Sequence, residues 1–168
     1  KRSETLLRES QRVARIGHYV YDAVADGGTR SEMLEEILGI GPDHPHGMAG
    51  WLAILHPEER AAMAAYLRDE VLTGRRPFNR EYRIVRIRDG AERWVHGLGR
   101  LELDPTGRPA RLFGTIQDVT ERRHAAEALR EREERHRATL ASMTEHVFVL
   151  DKEGRFQDCH APESGRLP

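Results

Sequence analysis

Along the chain the apolar positions alternate between a period of two and a period near 3.6, and each switch marks a boundary between strand and helix. Leu6, Leu7, Ser10, Val13 and Ile16 recur at helical intervals and predict a flanking helix over residues 4–16, stopped by Gly17. His18-Tyr19-Val20-Tyr21-Asp22 then reads as a strand, and Asp26-Gly27-Gly28 supplies the turn into a second short strand near 29–31. At Ser31 the period lengthens. Ser31 is placed to cap a short helix through Met33, Leu34, Ile37 and Leu38, with Gly39 and Gly41-Pro42 as its stop. Residues 43–50 read as a loop, and 51–55 as a short apolar segment. Pro57, Glu58 and Glu59 open a stronger helix whose apolar face is Ala62, Met63, Tyr66, Leu67 and Val71, and Gly74 closes it.

After Gly74 alternation takes over again. Strands over 78–87 and 92–103 flank Asp89-Gly90, a two-residue hairpin signal, and Asp104-Pro105-Thr106-Gly107 turns the chain into a strand over 111–119. Two short strands, helices and three long strands form an α+β plan: helices on one face of a five-stranded antiparallel sheet.

The last strand runs straight into a charged helical pattern. Asp118 and Glu121 have the spacing of a capping box, with Thr120 as an alternative cap. The heptad-like set Val119, Ala126, Leu129, Glu133, His136, Leu140 and Met143 is only partly apolar, so the helix is expected to pack along a narrow seam, its own copy in a dimer being the natural partner. Val147-Phe148-Val149-Leu150-Asp151 followed by Glu153-Gly154 repeats the strand, Asp and Gly-turn order of residues 19–27. The expected layout is a flanking helix (1–16), a sensor module (17–119), a linker helix (120–144) and the truncated start of a second module (145–168). With Lys1 inside a helical pattern, the chain reads as a slice of a longer protein.

Composition narrows the function classes. With 38% hydrophobic and 33% charged residues, there is material for a core beneath a heavily charged surface. The formal net charge is −1 with Arg and Glu interleaved, so no basic stripe is left to neutralise phosphates, and nucleic acid is not an expected partner. No apolar run reaches the roughly 18 residues a membrane helix needs. The single cysteine, Cys159, excludes an internal disulfide and fits a reducing, cytoplasmic setting.

Five stretches resemble the PAS family, in the subclass that ends with the PAS-associated C-terminal motif: "ILHPEER" (54–60), "REYRIVRIRDGAERWVHG" (80–97), "DPTGRPARLFGTIQDVTERR" (104–123), "ARIGHYVYD" (14–22) and "SEMLEEILGI" (31–40). The chain departs from many relatives where Tyr19 and Tyr21 replace tryptophans and where Gly27-Gly28 replaces an aromatic. The resemblance implies a sheet and helices enclosing a small cavity, dimerising flanking helices, and an effector domain elsewhere in the chain. Sensor histidine kinases, diguanylate cyclases and phosphatases are the parent proteins it suggests.

Candidate chemistry is sparse. Cys159 lies outside the helical Asn-Cys-Arg motif that flavin-binding relatives use, and the histidines at 44, 46 and 56 sit in loops or at a helix start, so flavin and haem are not expected and the cofactor stays open. Asp43, His44 and His46 lack further ligands, so no metal site is assigned. His124 and His136 lack the acidic residue and the proline that follow a phosphoacceptor histidine, and no catalytic motif is present. This leaves a pocket for a neutral or acidic small molecule, with walls from Trp51, Leu55, Met63, Leu67, Tyr82, Trp94 and Phe113 and polar contacts from His96 or Arg83; plain core packing accounts for the same residues. Asp118, Thr120 and Glu121 are the candidates for signal transfer into the helix. The expected function is a signal-sensing, dimerising module of a multidomain signalling protein, itself not an enzyme; the alternative is a relay that binds no small molecule.

Overall fold

The computed structural model describes residues 14–141 and 147–160, which fall in two compact units, Lys1–Glu121 and Arg122–Pro168. The flanking helix expected over residues 4–16 lies outside the described residues as far as Val13. Ala14 and Arg15 form a turn, and Ile16, assigned to that helix from its spacing, instead opens a strand. Arg15 takes the left-handed φ of 48°, which redirects the chain into the sheet.

The first unit holds β1 (Ile16–Asp22), β2 (Gly27–Arg30), α1 (Glu32–Leu38), α2 (Met48–Ile54), a 3₁₀ turn (Pro57–Glu59), α3 (Arg60–Tyr66), a π-helical turn (Leu67–Thr73), β3 (Phe78–Val85), β4 (Glu92–Leu103) and β5 (Pro109–Asp118). The sheet is antiparallel with order β2-β1-β5-β4-β3. Ser31 caps α1, its Oγ accepting the Leu34 N–H at 3.3 Å, and Gly39 ends it at φ 63°, a left-handed conformation that suits glycine.

Two expectations need correction. Residues 48–50 belong to α2 and not to a loop, so the apolar segment 51–55 is mostly helix: Gly50 and Ile54, four apart, are both buried in it. The Asp89-Gly90 turn is wider than a two-residue hairpin, because β3 stops at Val85 and the Gly90 N–H donates to the Arg86 carbonyl at 2.8 Å, closing a five-residue turn.

One face of the sheet carries the core. Tyr82, Ile84, Val95, Leu112 and Ile116 point toward Leu34, Ile37, Ile54, Leu55, Met63, Leu67 and Val71, all in one buried cluster. On the opposite parity Val20, Leu98 and Phe113 are exposed. His56 ties the helices to this sheet: its N–H donates to the Arg83 carbonyl, its Nδ1 accepts the Glu58 N–H, and its Nε2 lies 3.2 Å from Glu92 Oε1.

The helix α4 (Thr120–Ala141) begins where β5 ends. Residues 121–139 are exposed, and Arg130 bridges Glu127, one turn before it, and Glu134, one turn after, contacts of little energetic weight at the surface. β6 (Val147–Leu150) and β7 (Phe156–His160) form an antiparallel hairpin in the second unit, closed by Asp151, whose Oδ1 accepts the Glu153 and Arg155 N–H groups.

Candidate functional site

A cavity of about 110 Å³ opens between the inner face of β1, β3 and β5, helices α1 and α2, and the loop that joins them. Each wall follows from strand or helix parity. Tyr19 and Tyr21 come from β1, Phe78 and Tyr82 from β3, Leu112 and Ile116 from β5, and Trp51 and Ile54 from α2. Four aromatic rings pack edge to face on one side: Trp51 lies 6.2 Å from both Phe78 and Tyr82, and Phe78 lies 6.1 Å from Tyr82 and 5.4 Å from Tyr66.

Of the residues expected to line a pocket, the structure brings Trp51, Leu67 and Tyr82 together on the cavity. Leu55 and Met63 are buried in the adjoining core and do not face it. Trp94, His96 and Phe113 are not on its wall. They have the opposite parity to Val95, Gly97 and Leu112, so they point to the other sheet face, where His96 Nε2 sits 2.8 Å from Asn79 Oδ1 and Arg83 lies over the Trp94 ring at 5.8 Å. Arg83 is held by Glu58 and Glu59 at 2.8 and 2.7 Å and is no ligand contact either. Missed from the sequence were Tyr19, Tyr21, Phe78 and the stretch from His44 to Met48; a glycine at 97 inside a long strand was an available signal of close approach, and in the structure a Cβ there would stand 2.7 Å from the Phe78 ring.

Among the described residues, the one arginine on the cavity wall is spent on the wall itself. Arg30, nearly buried, donates from Nε to Glu35 at 3.1 Å and from its Nη atoms to the carbonyls of Gly41, Pro42, His44 and Pro45. Five acceptors on one guanidinium pin the loop that closes the cavity. His44 Nε2 lies 2.9 Å from the Gly50 carbonyl, pinning the loop's other end. Asp26 bonds the Tyr21 hydroxyl at 3.0 Å and the Met48 N–H at 2.9 Å. Among the described residues no group of three or more His, Cys, Asp or Glu side chains is placed to hold a metal ion.

Burial sets the phenols apart. It pushes the Tyr82 hydroxyl up to about 12, against a smaller lowering by the Trp51 N–H, which donates to it at 3.4 Å; burial followed by the Asp26 hydrogen bond brings Tyr21 to about 12, and burial followed by repulsion from Tyr82 pushes Tyr19 higher still. The folded state therefore keeps the Tyr82 proton through a range in which the unfolded chain, with a phenol pKa of about 10, releases it. The stabilisation linked to Tyr82 is complete below that unfolded value and is lost as pH rises toward the folded one. Spectrophotometric titration should show a late phenolate component that loses one tyrosine in Tyr82→Phe; a wild type whose phenols all ionise near pH 10 would contradict the burial.

At the far end of β5 the second candidate set meets. Thr120, the first residue of α4, is 5% exposed; its Oγ1 accepts the Trp94 N–H at 2.9 Å, while its own N–H donates to Asp118 Oδ1 at 3.0 Å. Arg15 lies 3.4 Å from Asp118 Oδ2 and 3.9 Å from the exposed Glu121. Asp118 thus holds the first N–H of the helix in a short turn, and Glu121 faces the arginine.

A family profile described as the PAS fold matches residues 29–116. The probable diguanylate cyclase DgcE of Escherichia coli (strain K12) is 34% identical over 116 residues, 69% of this chain and 10% of that protein. The sensor protein FixL of Bradyrhizobium diazoefficiens is 27% identical over 127 residues, 76% of this chain and 25% of that protein. The chain therefore spans a quarter or less of these two curated relatives. The crystal structure of a sensory box histidine kinase/response regulator from Burkholderia thailandensis E264 superposes with a TM-score of 0.63 at 27% identity, covering 79% of this chain and 98% of that one. With strand order, covering helices and a profile match over more than half its length in agreement, the chain belongs to the PAS fold family.

Proposed function

We propose that this chain is a signal-sensing and dimerising module of a multidomain protein, a sensor histidine kinase or diguanylate cyclase, and that it relays the state of its cavity through α4 to an effector domain on the same chain. The observation that carries the reading is Thr120: the first residue of the helix is built into the sheet through the Trp94 N–H, four residues after Ile116 on the cavity wall. A change at Ile116 is then felt at Thr120 by way of one short, fully bonded strand end. Any ligand must favour one arrangement of that joint over the other, since equal affinity shifts nothing.

Residues 104–123 supply the PAS-associated C-terminal motif in this reading. The β6–β7 hairpin, with its Asp151-centred turn, supports the start of a second PAS domain over residues 145–168. The one cysteine and the absence, among the described residues, of a helix apolar enough to cross a membrane support a cytoplasmic module. The narrow seam of α4, with Leu129 57% exposed, supports a homodimer formed along that helix.

A second reading, a relay that binds no small molecule, is favoured by the cavity's 110 Å³, small beside the roughly 300–1,000 Å³ of common ligand pockets. Native purification, denaturation and mass spectrometry separate the two, with sedimentation equilibrium run in parallel. The sensing reading expects a stoichiometric small molecule and a concentration-dependent dimer. A dimer with an empty cavity at every expression condition would leave the relay, and a monomer at all concentrations would remove both.

A further inference from the structure

Tyr82 is an almost fully buried polar side chain of the cavity wall whose hydroxyl hydrogen has no acceptor among the described residues. It is 1% exposed, and its oxygen accepts from Trp51 Nε1. Tyr19 donates to the Leu98 carbonyl at 3.4 Å and Tyr21 to Asp26, so the other phenols on the wall have their acceptors. Arg30 is ion-paired with Glu35 and bonded to four carbonyls, so an anion entering the cavity would meet no uncompensated arginine. The rest of the buried wall is apolar: Ile40, Ile54, Leu67, Phe78, Leu112 and Ile116.

Resting on the sensing reading above, we infer that the cavity selects a small neutral carbonyl compound, its oxygen accepting from Tyr82 and its hydrocarbon part against the aromatic cluster. Size bounds the class. An apolar cavity of about 150 Å³ holds benzene, so the ≈ 110 Å³ here, behind a loop pinned by Arg30 and His44, suits a molecule smaller than benzene, a short-chain ketone or aldehyde. A carboxylate, included among the ligands expected from the sequence, is disfavoured because the arginine that would have received it is already paired.

The test uses three five-heavy-atom probes of nearly one shape on the whole chain: 2-butanone, 2-methyl-1-butene and propionate, titrated by calorimetry at neutral pH into wild type and Tyr82→Phe, with folding of the variant checked by circular dichroism. 2-Butanone should bind roughly three- to tenfold tighter than 2-methyl-1-butene, the range of one neutral hydrogen bond, and propionate at least about tenfold weaker than 2-butanone. In Tyr82→Phe the first difference should vanish. The carbonyl stretch of bound 2-butanone provides a readout that needs no variant: on wild type it should lie below its value in an apolar solvent such as hexane. If 2-butanone and 2-methyl-1-butene bind wild type equally, or the stretch keeps its apolar-solvent value, the inference fails while the cavity remains a binding site. If neither uncharged probe binds the folded protein at millimolar concentration, the sensing reading fails with it.

Discussion

Gly114→Ala is expected to destabilise the sheet by about 3 kcal/mol or more, among the largest effects a single methyl can have in this chain. A Cβ at Gly114 would lie 1.8 Å from the Leu98 carbonyl oxygen and 2.7 Å from Gly99 Cα. Both atoms are backbone of β4, hydrogen-bonded in the ladder that pairs Leu98 with Thr115 and Gly99 with Gly114, so no side chain can swing aside to make room. Relief requires β4 and β5 to separate at the centre of the sheet. The same close approach positions the cavity: Tyr19 pairs with Gly114, and its hydroxyl reaches across to the Leu98 carbonyl over the two glycines. Urea denaturation of Gly114→Ala beside Gly41→Ala is the measurement. A methyl on Gly41 would meet nothing within 4 Å, and its φ is ordinary, so alanine there should be tolerated within about 0.5 kcal/mol. Equal midpoints for the two variants would mean the strands are not in this register.

Thr120→Val should cost about 1–3 kcal/mol, because it leaves the Trp94 N–H without its acceptor in a buried place. The reason lies in how β5 ends. The ladder runs on to the Val119 N–H, which donates to the Trp94 carbonyl at 2.9 Å, but the chain then turns into α4 and offers no strand acceptor for the N–H of Trp94. The Thr120 hydroxyl takes that place. Thr120→Ser keeps the oxygen and should recover most of the loss, which distinguishes the hydrogen bond from packing. In a full-length parent the proposal adds a second readout: Thr120→Val should reduce the response of output to ligand more than it reduces basal output. A variant as stable as wild type with full response would remove the joint from the mechanism.

How much could be read beforehand varies by element. The Ser31 cap, the Gly39 stop and the limits of β4 were legible, because each depends on a side chain acting within one turn or one strand. The joint at Asp118-Val119-Thr120 was legible as a helix start, flanked by Arg15 just ahead of β1, which pairs with Asp118. The role of Thr120 was not, since its partner Trp94 is 26 residues away and found only through the β4–β5 register. Helix α2 was hidden because Gly47, Gly50 and the proline-rich approach look like a loop, while its stability comes from burying Gly50 and Ile54 against the rest of the core.

The amino-acid sequence by itself determined the order of the strands and of the helices other than α2, the family, and the place where sheet becomes helix, all of which rest on local periodicity, capping and turn chemistry. The tertiary structure alone decided which parity of each strand faces the helices. Trp94 and Phe113 are as apolar as Tyr82 and Leu112, yet the covered face received the second pair, and with it the choice of which polar groups line the cavity. A strand presents two faces of equal standing to the reader of a sequence, and only the burial of one of them by packed helices makes them different.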